Sequence, residues 1–272
     1  MEEKKVLDDS NAFLINDKKL GNLNFFSGWE MASMFRFITV CNLIVKNKWK
    51  YFKDTKKIRI LDIGSSNANF YRVWSRNYDA MLKFAVDYTG IELDVNTLDK
   101  FEIDKARFNK GRDSVELINF NCIEHNLSEL NKKYDFIIAM EILEHVGKEN
   151  AENLMADMRD VLEDNSSIFI SSPNPKKLKG QEFVWPETHL YEFTLDEMIG
   201  AARDKKLFAI NTCGWLGKAK NIKKHLSGDA LGIYNRLTNI SSGFALSIIA
   251  YLLPDLAECY LIEFKKSNTE VI

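Results

Sequence analysis

Apolar residues change their period several times along the chain, and each change marks an element. Over 26–52, Met31, Met34, Phe35, Ile38, Cys41 and Val45 recur at helical spacing, which predicts one or two helices ahead of a sheet. Short apolar runs follow at 58–63 (IRILDI), 88–93 (YTGIEL), 115–120 (VELINF), 134–140 (YDFIIAM), 167–171 (SIFIS), 207–212 and 259–264 (CYLIEF), and each reads as a strand. Between them lie helical patterns. Phe70, Val73, Trp74 and Met81 suggest a helix after the first strand. Ala151, Leu154, Met155, Met158, Val161 and Leu162 share one face of a helix over 148–162. Thr194 with Glu197 forms a capping box for another, running to about residue 205. Strands alternating with helices predict an α/β fold with a mainly parallel, doubly wound sheet. Ligands of such sheets bind at the carboxyl ends of the strands, near the point where strand order reverses.

Composition narrows the class. The 272 residues carry 46% hydrophobic side chains and a net charge of −2, so a real core forms and no basic surplus awaits a long nucleic acid. Cys41, Cys122, Cys213 and Cys259 are widely spaced with no CxxC, which fits reduced thiols in a cytoplasmic protein. The charged start MEEKKVLDDSN is no secretory signal, and the apolar run 244–253 is too short to span a bilayer. That run reads as a buried helix, a lid or an interfacial contact. The expected organisation is a helical extension over 1–54 and a catalytic domain over 55–272, with a helical lid at about 215–256.

The candidate chemistry lies just after the strands. The first runs into LDIGSSNANF, a small-residue loop that lets backbone approach a ligand. No GKS or GKT follows, and Ser66 and Ala68 stand where a dinucleotide fingerprint would have glycines. Glu92 follows Gly64 by 28 residues and ends the second strand, where an acid can accept both hydroxyls of a ribose. Asn121 and Cys122 follow the third strand, and Met140 and Glu141 close the fourth.

With LDIGSSNANF, TGIELD, FNCIEH, YDFIIAMEILEHV and SIFISSPNP in this order, the sequence resembles the class I S-adenosylmethionine-dependent methyltransferases over about residues 55–215. The resemblance implies a Rossmann-like seven-stranded sheet with the last strand antiparallel. It implies that Asp62 and Gly64, with Ser65, hold the methionine end of S-adenosylmethionine. Glu92 would hold the ribose, Asn121 with Cys122 the adenine, and Met140 would complete the cofactor wall.

In Glu141-Ile-Leu-Glu144-His145, a helix would bring both carboxylates and the imidazole to one face. His189, after the fifth strand, is expected to reach the same pocket. Glu141, Glu144, His145 and His189 are therefore candidate ligands for Mg²⁺ or Mn²⁺. Without metal, His145 or His189 would be the general base, with Glu141 beside it. This E-x-x-E-H…H pattern is similar to metal-dependent ubiquinone-biosynthesis O-methyltransferases. It is similar too to RNA 3′-terminal 2′-O-methyltransferases, where HLYEFT is the closer match. His125 and His225 carry no functional claim.

Trp215, Leu216, Tyr234, Phe244 and Tyr251 supply apolar surface before the last strand. Lys218, Lys220, Lys223 and Lys224 lie beside them, and Lys176, Lys177 and Lys179 follow the fifth strand. The favoured acceptor is a small polyol, such as a sugar or sugar nucleotide. The alternatives are an RNA 2′-hydroxyl, or a non-catalytic subunit that binds the cofactor for a partner.

Overall fold

The computed structural model describes residues 28–78, 82, 84–108, 112–175, 188–217, 219–240 and 242–266. Seven strands form one sheet: β1 (Lys57–Ile63), β2 (Ala85–Glu92), β3 (Ser114–Asn119), β4 (Tyr134–Met140), β5 (Leu162–Pro173), β6 (Phe208–Gly217) and β7 (Ala257–Lys265). Their order is β3-β2-β1-β4-β5-β7-β6. β1 to β5 pair in parallel, and β7 runs antiparallel between β5 and β6. All seven predicted strands are present, and so is the antiparallel last strand. Strand order reverses between β1 and β4, which opens the cleft at their carboxyl ends.

Nine helices occur among the described residues: α1 (Gly28–Tyr51), α2 (Asn69–Asn77), α3 (Val95–Phe108), α4 (Leu143–Val146), α5 (Lys148–Val161), α6 (Leu195–Asp204), α7 (Ala219–His225), α8 (Gly228–Ile240) and α9 (Ser242–Leu252). They make a core on each face of the sheet. Every residue of β4 is buried, as a central parallel strand requires. Phe136, Ile138 and Met140 face the layer of α1 and α2, while Ile137 and Ala139 face α5 and α6. α5 buries Ala151, Leu154, Met155, Met158 and Val161 on one stripe, as expected, whereas Leu162 already belongs to β5. The Thr194–Glu197 capping box starts α6.

The N-terminal segment meets the expectation of one or two helices, but its buried face is not made of the apolar positions alone. It is one helix of 24 residues, and its buried stripe is turned. Phe37, Val40, Cys41 and Ile44 are buried, but so are Ser33, Arg36, Asn47 and Lys48. Met34, Phe35, Ile38 and Val45 are only partly buried, and the side chain of Met31 lies outside the described set. Two polar members of the stripe find partners in the sheet, while Lys48 donates to the carbonyls of Phe52 and Lys53. Asn47 Nδ2 donates to Glu263 Oε1 at 2.6 Å, and Arg36 Nη1 donates to Ser171 Oγ at 3.2 Å. Such bonds offset the cost of burying a polar group.

β6 extends to Gly217, so Trp215 and Leu216 belong to the sheet and not to the helical insert. α9 then packs on β6 and α1. Gly214 permits this: a Cβ there would lie 2.4 Å from the carbonyl oxygen of Ala250. The apolar run 244–253 is thus largely α9, which buries Ala245, Ser247 and Ala250 and leaves Tyr251 and Leu252 exposed. No helix among the described residues is long and apolar enough to cross a membrane. Met81, Lys218 and the lysines at 176, 177 and 179 lie outside the described residues.

Candidate functional site

The loop between β1 and α2 is shaped by its backbone. Gly64 and Ser65 both donate to the carbonyl of Ile91, at 3.0 and 3.1 Å, which ties the loop to the end of β2. Gly64 has φ 67°, and Ser66 and Ala68 adopt φ 48° and 53° without being glycines. The left-handed conformation a glycine would favour is thus kept by residues with a Cβ, at roughly 1 kcal/mol of strain each. The turn aims the Ser66 N–H at Glu92 Oε2, 2.8 Å away. Glu92 Oε1 accepts from the N–H groups of Leu93 and Asp94 at 2.8 and 3.1 Å. Three backbone donors therefore fix one carboxylate.

Beside it lies a cavity of about 200 Å³ walled by Gly64, Glu92, Asn121, Cys122, Ile142 and His145, among others. Asn121 Oδ1 is committed to the N–H of Ile123 at 3.1 Å. Asp62, Ser65 and Met140 lie off this wall. Asp62 is buried behind the loop, where Tyr88 donates to its Oδ2 at 2.6 Å. Burial outweighs that bond and pushes the Asp62 carboxyl up to about 7.

The other end of the cleft is made of ionisable side chains. Glu141 sits at φ 57°, and α4 begins only at Leu143. The expected helical face joining Glu141 to Glu144 and His145 does not form, because the chain makes a left-handed turn as it leaves β4. Glu141 points elsewhere: Ser171 Oγ donates to its Oε1 at 2.7 Å, and Arg36 Nη1 lies 3.4 Å from the same oxygen. Arg36 is 4% exposed, and its guanidinium lies 4.4 Å from the ring centre of Trp215. Its Nε has no hydrogen-bond partner. Burial raises Glu141, while the charge of Arg36 and the Ser171 bond oppose that rise.

The remaining three residues of the expected set come together. Glu144, His145 and His189 each place one potential ligand atom within 4.8 Å of the other two. The two imidazoles meet edge to face with ring centres 4.7 Å apart. His145 Nδ1 lies 3.1 Å from the carbonyl of Thr188, which only accepts, so Nδ1 carries the proton and Nε2 is the basic nitrogen. The N–H groups of Leu190 and Tyr191 both donate to the carbonyl of Glu144, hooking the segment 188–193 over α4. His189 Nδ1 meets Glu192 Oε1. Burial, and then the charge of Glu141, push Glu192 up to about 8, and burial lowers His189. Glu144 is driven well up, first by burial and then by Glu141. Its Oε2 accepts from Ser172 at 3.3 Å, while its buried Oε1 has no hydrogen-bond partner.

His125 is exposed, with Nδ1 3.2 Å from Glu129, and His225 ends the exposed tip of α7. The sequence did not single out Arg36, Ser171 or Ser172, and it named Glu192 only within the HLYEFT match. The two serines sit where β5 ends, a position that alone marks them as candidates. Arg36 gave no such signal, since a lone arginine on an amphipathic helix reads as a solvated charge.

A family model described as a methyltransferase domain matches residues 34–205. No curated protein matches the chain. Among solved structures, the fold is similar to magnesium protoporphyrin IX methyltransferase (ChlM) from Synechocystis PCC 6803 with bound SAH (TM-score 0.54, 11% identity, 88% of this chain and 85% of that one). It is similar too to an S-adenosylmethionine-dependent methyltransferase from Clostridium acetobutylicum ATCC 824 (TM-score 0.52, 9% identity, 91% and 95% coverage). PKMT2 from Rickettsia typhi also matches (TM-score 0.49, 12% identity, 78% of this chain), and the chain spans about half of it, 49%. At these identities the likeness is one of fold.

Proposed function

The chain belongs to the methyltransferase-domain family and uses S-adenosylmethionine, and on that premise we propose that it moves the methyl group to a hydroxyl oxygen of a small polyol, a sugar or sugar nucleotide. One observation carries the reading. His145 lines the cavity shared by Gly64 and Glu92 and also belongs to the cluster with Glu144 and His189, so a base borders the donor cavity. We place the reaction in the cytoplasm, in keeping with four cysteines that form no disulfide.

In this reading Glu92, held by three N–H groups, accepts the two ribose hydroxyls. The amide nitrogen of Asn121 donates to an adenine edge, since its oxygen is taken by the turn, and Cys122 packs beside it. Gly64, Ser65 and Asp62 hold the methionine ammonium, and Met140 lies along the thioether. Arg36 is the buried cation whose charge acts on both Asp62 and Glu141, and it takes the cofactor's carboxylate. An acceptor oxygen attacks the methyl carbon, the carbon–sulfur pair passes to sulfur, and the hydroxyl proton goes to His145 or His189 Nε2.

The residues present also fit a divalent ion. Two imidazoles and a carboxylate whose buried Oε1 lacks a partner form a mixed N/O set suited to Mg²⁺ or Mn²⁺. When bound, such an ion lowers the pKa of a coordinated hydroxyl. Glu141, drawn off to Arg36, stands outside this set.

The test is methyl transfer from labelled S-adenosylmethionine to a panel of polyols, sugars, sugar nucleotides, amines, thiols and an RNA oligonucleotide. The expected product is an O-methylated small molecule, lost in His145→Ala and His189→Ala. Transfer only to nitrogen, sulfur or carbon, or none at all, overturns the proposal. Transfer confined to RNA replaces the acceptor class.

A further inference from the structure

The surface opposite the cleft carries a charge that the net balance hides. The whole chain has a net charge of −2, yet residues 46–57 hold six lysines and one acid, Asp54. The run of α1 decides where they fall. Its first half reaches the cleft, where Arg36 bonds Ser171 near the end of β5. Its last turns reach the other end of the sheet, where Asn47 approaches Ser167 at 3.5 Å and the ring of Phe52 packs 5.9 Å from that of Phe136. At about 1.5 Å per residue, Lys50 lies about 21 Å beyond Arg36 along the helix.

Lys46, Trp49 and Lys50 stand at i, i+3 and i+4, so they share one helix face, and all three are exposed. Trp49 is 50% exposed, and Tyr51 beside it 39%. The chain then leaves the helix through Lys53, Lys56 and Lys57, which are exposed too, Lys57 lying 3.5 Å from Asp87. Lys48 turns inward and caps the helix through the carbonyls of Phe52 and Lys53. Around the adjoining start of β5, Lys133 and Lys266 lie among Asp160, Glu163 and Asp164, so the positive surplus is confined to the end of α1 and the loop after it. Tyr51 registers that surplus. Lys50 Nζ lies 4.9 Å and Lys265 Nζ 3.7 Å from its ring centre. Hydrogen bonding from Lys50, and then the charges of Lys265 and Lys50, outweigh burial and hold its phenol below the usual tyrosine range. An anion is favoured at such a place.

We propose that residues 46–57 dock on the surface of an anionic phospholipid bilayer, with Trp49 at the headgroup level and Lys46, Lys50, Lys53 and Lys56 on the phosphates. Charge complementarity selects the occupant, and the indole selects its kind. Tryptophan is favoured at the membrane interface, where lysine stems lie along apolar surface and their ammonium groups stay among the headgroups. A single-stranded nucleic acid would instead use a groove with successive rings for stacking bases. Here one indole stands at a helix end, and the neighbouring phenol is already covered by two lysines. Docked in this way, the molecule turns its cleft toward water and takes acceptors from solution while it stays at the membrane. The inference uses no part of the proposed acceptor chemistry, so the two stand or fall separately.

The experiment is co-sedimentation of the full chain with vesicles of phosphatidylcholine, with and without phosphatidylserine, at low and at high salt. Binding should be at least about tenfold stronger to the anionic vesicles and should be lost at high salt. The triple variant Lys46→Glu, Lys50→Glu, Lys53→Glu should bind them about 100-fold more weakly. Brominated lipid should quench part of the wild-type tryptophan fluorescence, and most of that quenching should be lost in Trp49→Phe. Unfolding midpoints and binding of S-adenosylhomocysteine should match wild type in both variants, which certifies the fold. Equal binding to neutral and anionic vesicles, no vesicle binding, full binding by the triple variant, or undiminished quenching in Trp49→Phe overturns the proposal. Capture of an RNA oligonucleotide without vesicle binding overturns it in favour of a nucleic-acid surface. Self-association without vesicle binding, abolished by the triple variant, overturns it in favour of a second copy of the chain.

Discussion

At the carboxyl ends of β1 and β2 the backbone makes the site, whereas at the ends of β4 and β5 side chains make it. Glu92 takes its orientation from the N–H groups of Ser66, Leu93 and Asp94, all local to two adjacent loops. Glu141 takes its orientation from Arg36 and Ser171, which lie far away in sequence on α1 and β5. The first arrangement needs only a strand, a tight turn and correct spacing. The second needs the whole fold to be in place before any of its charges has a partner. On the proposed assignment of donor to the first end and acceptor to the second, the acceptor end could be changed without disturbing the donor end, since the two draw on different kinds of structure.

Four changes would break or sharpen this contrast. The largest expected effect is at Arg36. Arg36→Leu strands Glu141 and should lower unfolding stability by about 3 kcal/mol, the usual penalty for breaking a buried pair. Adding Glu141→Gln should recover much of it, and denaturant midpoints of the single and double variants measure both. Additive losses would mean that the pair does not act as a unit. Next is Glu92→Ala, which should weaken binding of S-adenosylhomocysteine by about 100-fold through two lost charge-assisted bonds. Unchanged affinity in calorimetry removes the ribose role.

Asp62 offers a smaller, pH-dependent effect. Its folded pKa, about 7, is raised above the value near 3.8 of an unfolded chain, so the folded state holds the proton longer. The stabilisation is complete below the unfolded value and is lost as pH rises through about 7. Relative to Asp62→Asn, wild type should lose about 1.4 kcal/mol per pH unit between those limits, the linkage slope of one group. A flat difference between the two curves would place the charge elsewhere. The smallest effect belongs to the loop. Ala68→Gly should stabilise by about 0.5 kcal/mol, as relief of left-handed strain outweighs the added freedom of the unfolded chain. A clear loss would mean that the alanine methyl, not the turn, shapes the loop.

The same contrast explains what the sequence made legible. All seven strands, the stripe of α5 and the cap of α6 follow from period and capping chemistry, which are local. The Gly64–Glu92 spacing belongs to the same class of signal. The positive φ at Ser66 and Ala68 was foreshadowed only by their standing where glycines are expected. Arg36 was hidden because a buried cation breaks the pattern by which a helix face is read. Glu141 was placed on a helical face because nothing in E-x-x-E-H announces a left-handed turn at its first residue. Glu192 stood out only as part of the HLYEFT match, and its burial against His189 was not legible, since that depends on how the segment 188–193 folds over α4.

β7 lies between β5 and β6 in the sheet, although the ribosome makes it after both. While α7 to α9 are being synthesised, β6 has no strand to pair with, and Trp215 on β6 cannot yet roof Arg36. The five parallel strands can zip together earlier, because each finds its neighbour among segments already translated. Residues 257–265 supply the strand that joins β5 to β6, so the wall that Trp215 lends to the acidic end of the cleft depends on a segment that follows both in sequence.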